Sequence, residues 1–129
     1  MSELSNYAEN AVLNHLLRNV ALTSPTTVYI ALYSSDPTDA NSGTELTVAN
    51  GYAREAIAFD APSNGVCLST AEITFTASGA AWSAATHIGI LDASTAGNLL
   101  LHTPLAASRT AADGDSIVFA ANAVTVTLQ

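Results

Sequence analysis

Three histidines, His15, His87 and His102, are the residues of this sequence with the most obvious chemistry to offer. Imidazole ligates metals and moves protons near neutral pH. A metal site would show in sequence as an organised pair such as His-x-His or His-x-x-x-His, and no two of the three are spaced in that way. His87 stands beside Ile88 and His102 follows three leucines, so packed or interfacial rings are expected rather than ligands. If the strands carrying His87 and His102 are neighbours, the two imidazoles could face each other and form a pH-sensitive contact near pH ~6.5.

Oxygen donors cluster at Asp36, Asp39, Asn41 and Glu45. Their spacing does not fit an EF-hand loop, so a solvated loop is expected and no metal is assigned. Asp113-Gly-Asp115 reads first as a turn. The single cysteine, Cys67, has no internal disulfide partner, and its Gly-Val-Cys-Leu setting predicts a buried, inert strand residue. There is no G-x-S-x-G elbow and no glycine-rich phosphate loop. Charged residues make up only 11% of the chain, which leaves little material for a polar pocket of perturbed groups. No enzyme activity and no cofactor are expected.

The charge balance excludes more. Among 129 residues there are 3 arginines, no lysine and 11 acids, a formal net charge of −8. Phosphate binding relies on clustered cations, so nucleic acid and anionic membrane surfaces are not expected partners. No run approaches the ~20 apolar residues of a spanning helix. The opening Met-Ser-Glu-Leu-Ser lacks the basic and apolar stretches of a secretion signal, which predicts synthesis in a cytoplasm. Apolar residues reach 49% while charge stays far below the roughly 25% usual for soluble chains. Such a chain is expected to hide surface against copies of itself or a neighbour.

The elements that would position these residues can be read from periodicity. From Asn6 to about Asn19, Leu4, Ala8, Ala11, Val12, His15 and Leu16 recur at helical steps, and Leu13, Leu17 and Val20 widen the stripe. Asn6 with Glu9 resembles a capping box. Beyond Pro25 the period becomes two. Strands are predicted at Val28–Tyr33, Tyr52–Phe59, Val66–Leu68, Ile73–Thr76, Trp82–Leu91, Leu99–His102, Ile117–Phe119 and Val124–Leu128, with a long polar loop over 34–50. Six to eight short strands at roughly 8–12 residue spacing predict an all-β fold, a single β-sandwich, jelly-roll-like or Ig-like, with one N-terminal amphipathic helix. The expected organisation is one domain over 1–129, with a helical segment at 1–22 and the sandwich at 26–129. The wide apolar arc of the helix makes Tyr7, Val12, Leu13, Leu16 and Leu17 candidate interface residues, with core packing the alternative.

Several segments occur together in a known order: Leu4-Ser-Asn-Tyr7, NAVLNHLLR at 10–18, TVYIALY at 27–33, Ser35-Asp-Pro37, Gly51-Tyr-Ala-Arg54, THIGILD at 86–92 and Gly97-Asn-Leu-Leu-Leu-His102. In this the chain resembles, over nearly its whole length, a family of small tailed-phage and prophage proteins often labelled tail fibre or virion proteins. The resemblance implies a bacteriophage structural protein on the outer surface of the virion, made in the host cytoplasm. Two placements follow. The short, acidic chain suits a capsid decoration (cement) protein, a homotrimer bound to the major capsid protein and stabilising the head lattice, which is the expectation preferred here. The family label instead points to a tail fibre, tail or baseplate component. A third possibility, of another class, is a host-glycan-binding module with Trp82 and Tyr52 as stacking platforms.

Overall fold

Val-Tyr-Ile-Ala-Leu-Tyr alternates side chains to two faces of a strand, and all six are apolar or aromatic, so both faces need cover. That requirement organises the computed structural model, which describes residues 3–128. The elements are β1 (Glu3–Leu4), α1 (Asn6–Arg18), β2 (Val28–Tyr33), β3 (Glu55–Ile57), β4 (Val66–Leu68), β5 (Ile73–Thr76), β6 (Ala85–Leu91), β7 (Leu99–Arg109), β8 (Ser116–Phe119) and β9 (Thr125–Thr127). The first sheet has the order β1-β7-β6-β2-β3, with antiparallel neighbours throughout. The second layer is two antiparallel ribbons, β4-β9 and β5-β8. The chain is a mainly β protein of sandwich type with one short helix, as its periodicity predicted.

The main core lies between the layers. Ile30 pairs with Ile90 and Leu32 with Ile88 across β2 and β6, and these side chains meet Ile73, Phe75, Ile117 and Phe119 of the β5-β8 ribbon. Phe75 stands edge-on to Phe119 at 6.3 Å and stacks on Tyr52 at 6.1 Å. The opposite face of the sheet carries Ala31, Tyr33, Leu91 and Leu99 as a second buried cluster. The loop after β2 covers part of it. Glu45 returns to bridge Tyr33, Leu46 N–H donates to Leu32 O at 2.9 Å, and Tyr33 donates its hydroxyl proton to Asn41 Oδ1 at 3.0 Å. Pro37 is fully buried within this loop. The stretch predicted as solvated is therefore in part a packed Ω-type loop.

Several boundaries differ from those predicted, each for a local reason. Ser5, not Asn6, caps α1: its Oγ accepts the Ala8 N–H at 3.2 Å while its hydroxyl donates to Leu99 O. Leu4, read as part of the helical stripe, pairs with Leu101 in a strand. β7 continues through Pro104 to Arg109. Among the described residues β1 covers β7 only to His102, and proline is tolerated where a strand is paired on one side. Trp82 precedes β6, and β3 is shorter than the predicted 52–59 strand. Val124 and Val126 are buried, but Leu128 is half exposed, its N–H donating to Gly65 O beyond the ribbon. Cys67 is only partly buried, with its thiol pushed up by burial and by the Asp60 carboxylate.

Gly89 is the one position in β6 where a side chain has no room. A Cβ there would lie 2.8 Å from Leu99 Cδ1 and 2.9 Å from Tyr33 Cε2, both in the second cluster. Gly89→Ala should destabilise the fold by about 1–3 kcal/mol, the cost of overpacking a filled core. Urea unfolding monitored by Trp82 fluorescence measures it.

Candidate interaction surface

α1 has helix-forming residues, a serine cap, Glu9 in its first turn and Arg18 in its last, so both ends suit the helix dipole. Asn19 ends it in the left-handed conformation, at φ 56° and ψ 35°. Only Ala8 of the helix is buried. Successive helical residues are ~100° apart, which puts Leu17 about 180° from Ala8. Leu13 lies about 140° and Leu16 about 80° from Ala8, both to one side of Leu17, and the three are 53%, 71% and 76% exposed in chain order. These leucines are not core.

Tyr7, Val20 and Leu22 are also exposed, giving six large apolar side chains within sixteen residues. Scattered apolar residues on a surface are ordinary, whereas a contiguous patch marks an interaction site. Beside them lies a groove of 470 Å³, lined in part by Tyr7, Ala8, Val12, Leu22, Pro25 and Leu100. Val12, half-buried, belongs to the groove rather than to the outward face. Of the five candidate interface residues, Tyr7 and Val12 line the groove, while Leu13, Leu16 and Leu17 are exposed outside its lining.

The other expected sites are dispersed. Across β6 and β7, His87 pairs with Pro104 and His102 with Gly89, so the two imidazoles are not cross-strand partners. His87 Nδ1 lies 2.8 Å from Thr86 Oγ1, and buried His102 places Nε2 3.0 Å from Asp39 Oδ1. The strands that carry the two rings are neighbours, as the expectation required, and the partner seen at His102 Nε2 is Asp39. The glycan platforms are also ruled out: Tyr52 is 2% exposed and Trp82 9%, packed edge-on to each other with centroids 5.7 Å apart. Trp82 spends its indole N–H on Asn50 O at 2.9 Å.

The four loop donors do not form one site: Asp36 and Asp39 both approach His102, and the other two face elsewhere. Asn41 serves Tyr33, Asp36 accepts the Thr38 N–H at 2.9 Å, and Glu45 binds Arg54. This last pair is the polar centre that the sequence reading missed. Arg54 grips Glu45 through two bonds, Nε to Oε1 at 2.8 Å and Nη2 to Oε2 at 2.7 Å. Its Nη1 donates to Ala93 O at 2.8 Å and Ala96 O at 2.7 Å in the β6–β7 turn. Tyr52 donates to Glu45 Oε1 at 2.9 Å and accepts the Leu32 N–H at 3.1 Å. The hydrogen bond to Glu45 raises the guanidinium pKa above its usual value. No local motif announces this network, because its members come from four separate segments.

Comparison with known proteins bears on what this surface is for. The model of a family described as podophage GP4 fiber I protein gp80 matches residues 3–127. The chain belongs to this family. Membership of the gp80 fibre family makes it a bacteriophage structural protein of the virion, as the resemblance implied. No curated protein sequence matches the chain. The family match spans α1, the 34–45 loop and every strand of both layers.

Two predictions test the exposed and buried halves of this description. In the isolated, dissociated chain Leu17→Ser should change stability by no more than about 0.5 kcal/mol, as for other exposed positions, whereas Leu32→Ala should cost about 2–5 kcal/mol. Thermal and urea unfolding of both variants separates them. Burial first, then the Glu45 charge, pushes the Tyr33 phenol up to about 12 from its ordinary 10.0. Burial also raises Tyr52. A raised phenol pKa contributes stability that is fully present below pH ~10 and lost as pH rises through the folded value. Unfolding free energy should therefore fall between about pH 10 and 12, with a smaller fall in Tyr33→Phe.

Proposed function

We propose that the chain is a non-enzymatic subunit of a phage fibre, joined to copies of itself through the outward face of α1. The observation that carries this reading is the exposure of Leu13, Leu16 and Leu17 beside an apolar groove on the same helix. The same chain supplies both ridge and cleft, as a head-to-tail contact that closes identical copies into a ring requires. Burying a leucine contributes about 1.5–3 kcal/mol, and six large apolar side chains per copy can exceed an association cost of about 4–15 kcal/mol. Helices gathered about a threefold axis would bury the outward leucines of all copies together, so a homotrimer is the proposed assembly.

The gp80 fibre family favours fibre placement over the capsid-decoration placement that chain length and acidity suggested. A fibre subunit shares that length and acidity, and its next neighbour would be another fibre or tail protein rather than the major capsid protein. A net charge of −8 without lysine supports a role away from nucleic acid.

Light scattering coupled to size exclusion should find an oligomer of the wild-type chain. Leu16→Glu with Leu17→Glu should give a monomer with an unchanged circular dichroism spectrum, since neither side chain is buried. A wild type that stays monomeric at high concentration, or a double variant that still assembles, would overturn the helix interface. In purified particles, a copy number matching the head lattice would overturn the fibre placement.

A further inference from the structure

We propose that Glu3, Asp39 and His102 bind one divalent transition-metal ion, with the class of Zn²⁺, which clamps β1 and the 34–45 loop onto β7. The three residues come from three different segments, and one ligand atom from each lies within 4.8 Å of the others. Glu3 sits directly opposite His102 in the β1–β7 register. Asp39 arrives from the covering loop, whose backbone oxygen at that same residue also accepts the Asn6 N–H at 3.0 Å.

The charge around the ring points to a cation. His102 is 5% exposed, with Nε2 3.0 Å from Asp39 Oδ1 and Nδ1 3.7 Å from Asp36 Oδ1. A neutral imidazole carries one N–H and can donate toward only one of the two carboxylates. Glu3, Asp36 and Asp39 thus gather three acids about one ring. The arginines are engaged elsewhere: Arg18 on Asn14, Arg54 on Glu45, and Arg109 on Val118 O above the Phe119 ring. Among the described residues, no arginine forms an ion pair with any of these three acids.

Without a metal only an imidazolium donates to both carboxylates, whereas a metal ion would accommodate this arrangement with a neutral ring. Placed between Nε2 and the carboxylates of Asp39 and Glu3, it neutralises the acids and leaves Nδ1–H directed at Asp36, the usual outer partner of a ligating histidine. Ligand bonds of about 2.0–2.2 Å need donors roughly 3–3.5 Å apart, a spacing His102 and Asp39 already have. Glu3 is exposed, so its carboxylate has room to close the remaining distance by a rotamer change. One imidazole nitrogen selects Zn²⁺ and its transition-metal neighbours over Ca²⁺ or Mg²⁺, which prefer oxygen alone. The exposed carboxylates leave an entry path.

The test uses the full chain freed of metal with EDTA and titrated with Zn²⁺ by calorimetry, followed by thermal unfolding. One saturable site and a raised unfolding midpoint are expected, with Glu3→Gln and Asp39→Asn each weakening binding by about tenfold or more. Glu3→Gln, at an exposed position, should leave the metal-free unfolding midpoint unchanged, so lost binding cannot be ascribed to misfolding. Absence of saturable Zn²⁺ binding would overturn the proposal. So would binding that neither variant weakens, or Mg²⁺ binding of equal strength, which would mark mere attraction to an acidic surface.

Discussion

The structure depends on one constraint: the interior strands of its larger sheet are apolar on both faces. Ile30, Leu32, Ile88 and Ile90 look inward to the ribbons, while Ala31, Tyr33 and Leu91 look the other way. Parallel α/β folds meet this demand with helices on each side. This chain has a single helix, and that helix buries only Ala8. Much of the second face is instead covered by a loop, held at its ends by the return of the chain to β2 and along its length by Tyr33 and Pro37. The 34–45 loop thus substitutes for a layer of secondary structure.

Freed from covering the sheet, α1 turns its leucines outward. A short arm, Glu3 to Ser5, holds its first turn through the β1–β7 pairing, the Ser5 hydrogen bonds to Leu99 and Leu100, and the Asn6–Asp39 bond. The helix is therefore tethered at its N-terminal end and presents its far side as a ridge. Arg54 provides a comparable anchor at another side of the sheet, tying Glu45 to the turn between β6 and β7. This bidentate pair, with two carbonyl contacts as well, ties the loop to that turn.

Period-two alternation made the strands legible, because Val28–Tyr33 and Ile73–Thr76 carry their own pattern whatever surrounds them. The helix was legible too, and so was the surplus of apolar residues on it. What sequence could not disclose was pairing at long range. Glu3 and His102 are separated by almost the whole chain, and only the sheet register makes them neighbours. The same holds for Glu45 with Arg54 and the carbonyls of Ala93 and Ala96. Ser5 escaped notice as a cap because Asn6 offered an equally good local signal, and the hydrogen bond to Leu99 decides between them. The bulge between Ile90 and Leu91 shifts the register of β7, a change of phase with no marker in Leu99-Leu100-Leu101.

The docking of the N-terminal arm against β7 sets an order of events during synthesis. Residues made first must wait for Leu99 to His102 before their sheet position exists. A 13-residue helix is marginal by itself in water, so until then α1 has little reason to hold its shape. The leucine ridge becomes rigid only when the sheet beneath it is complete, late in a folding process dominated by distant pairings. An incomplete chain therefore lacks a fixed leucine ridge, whose geometry is among the last features of the fold to be set.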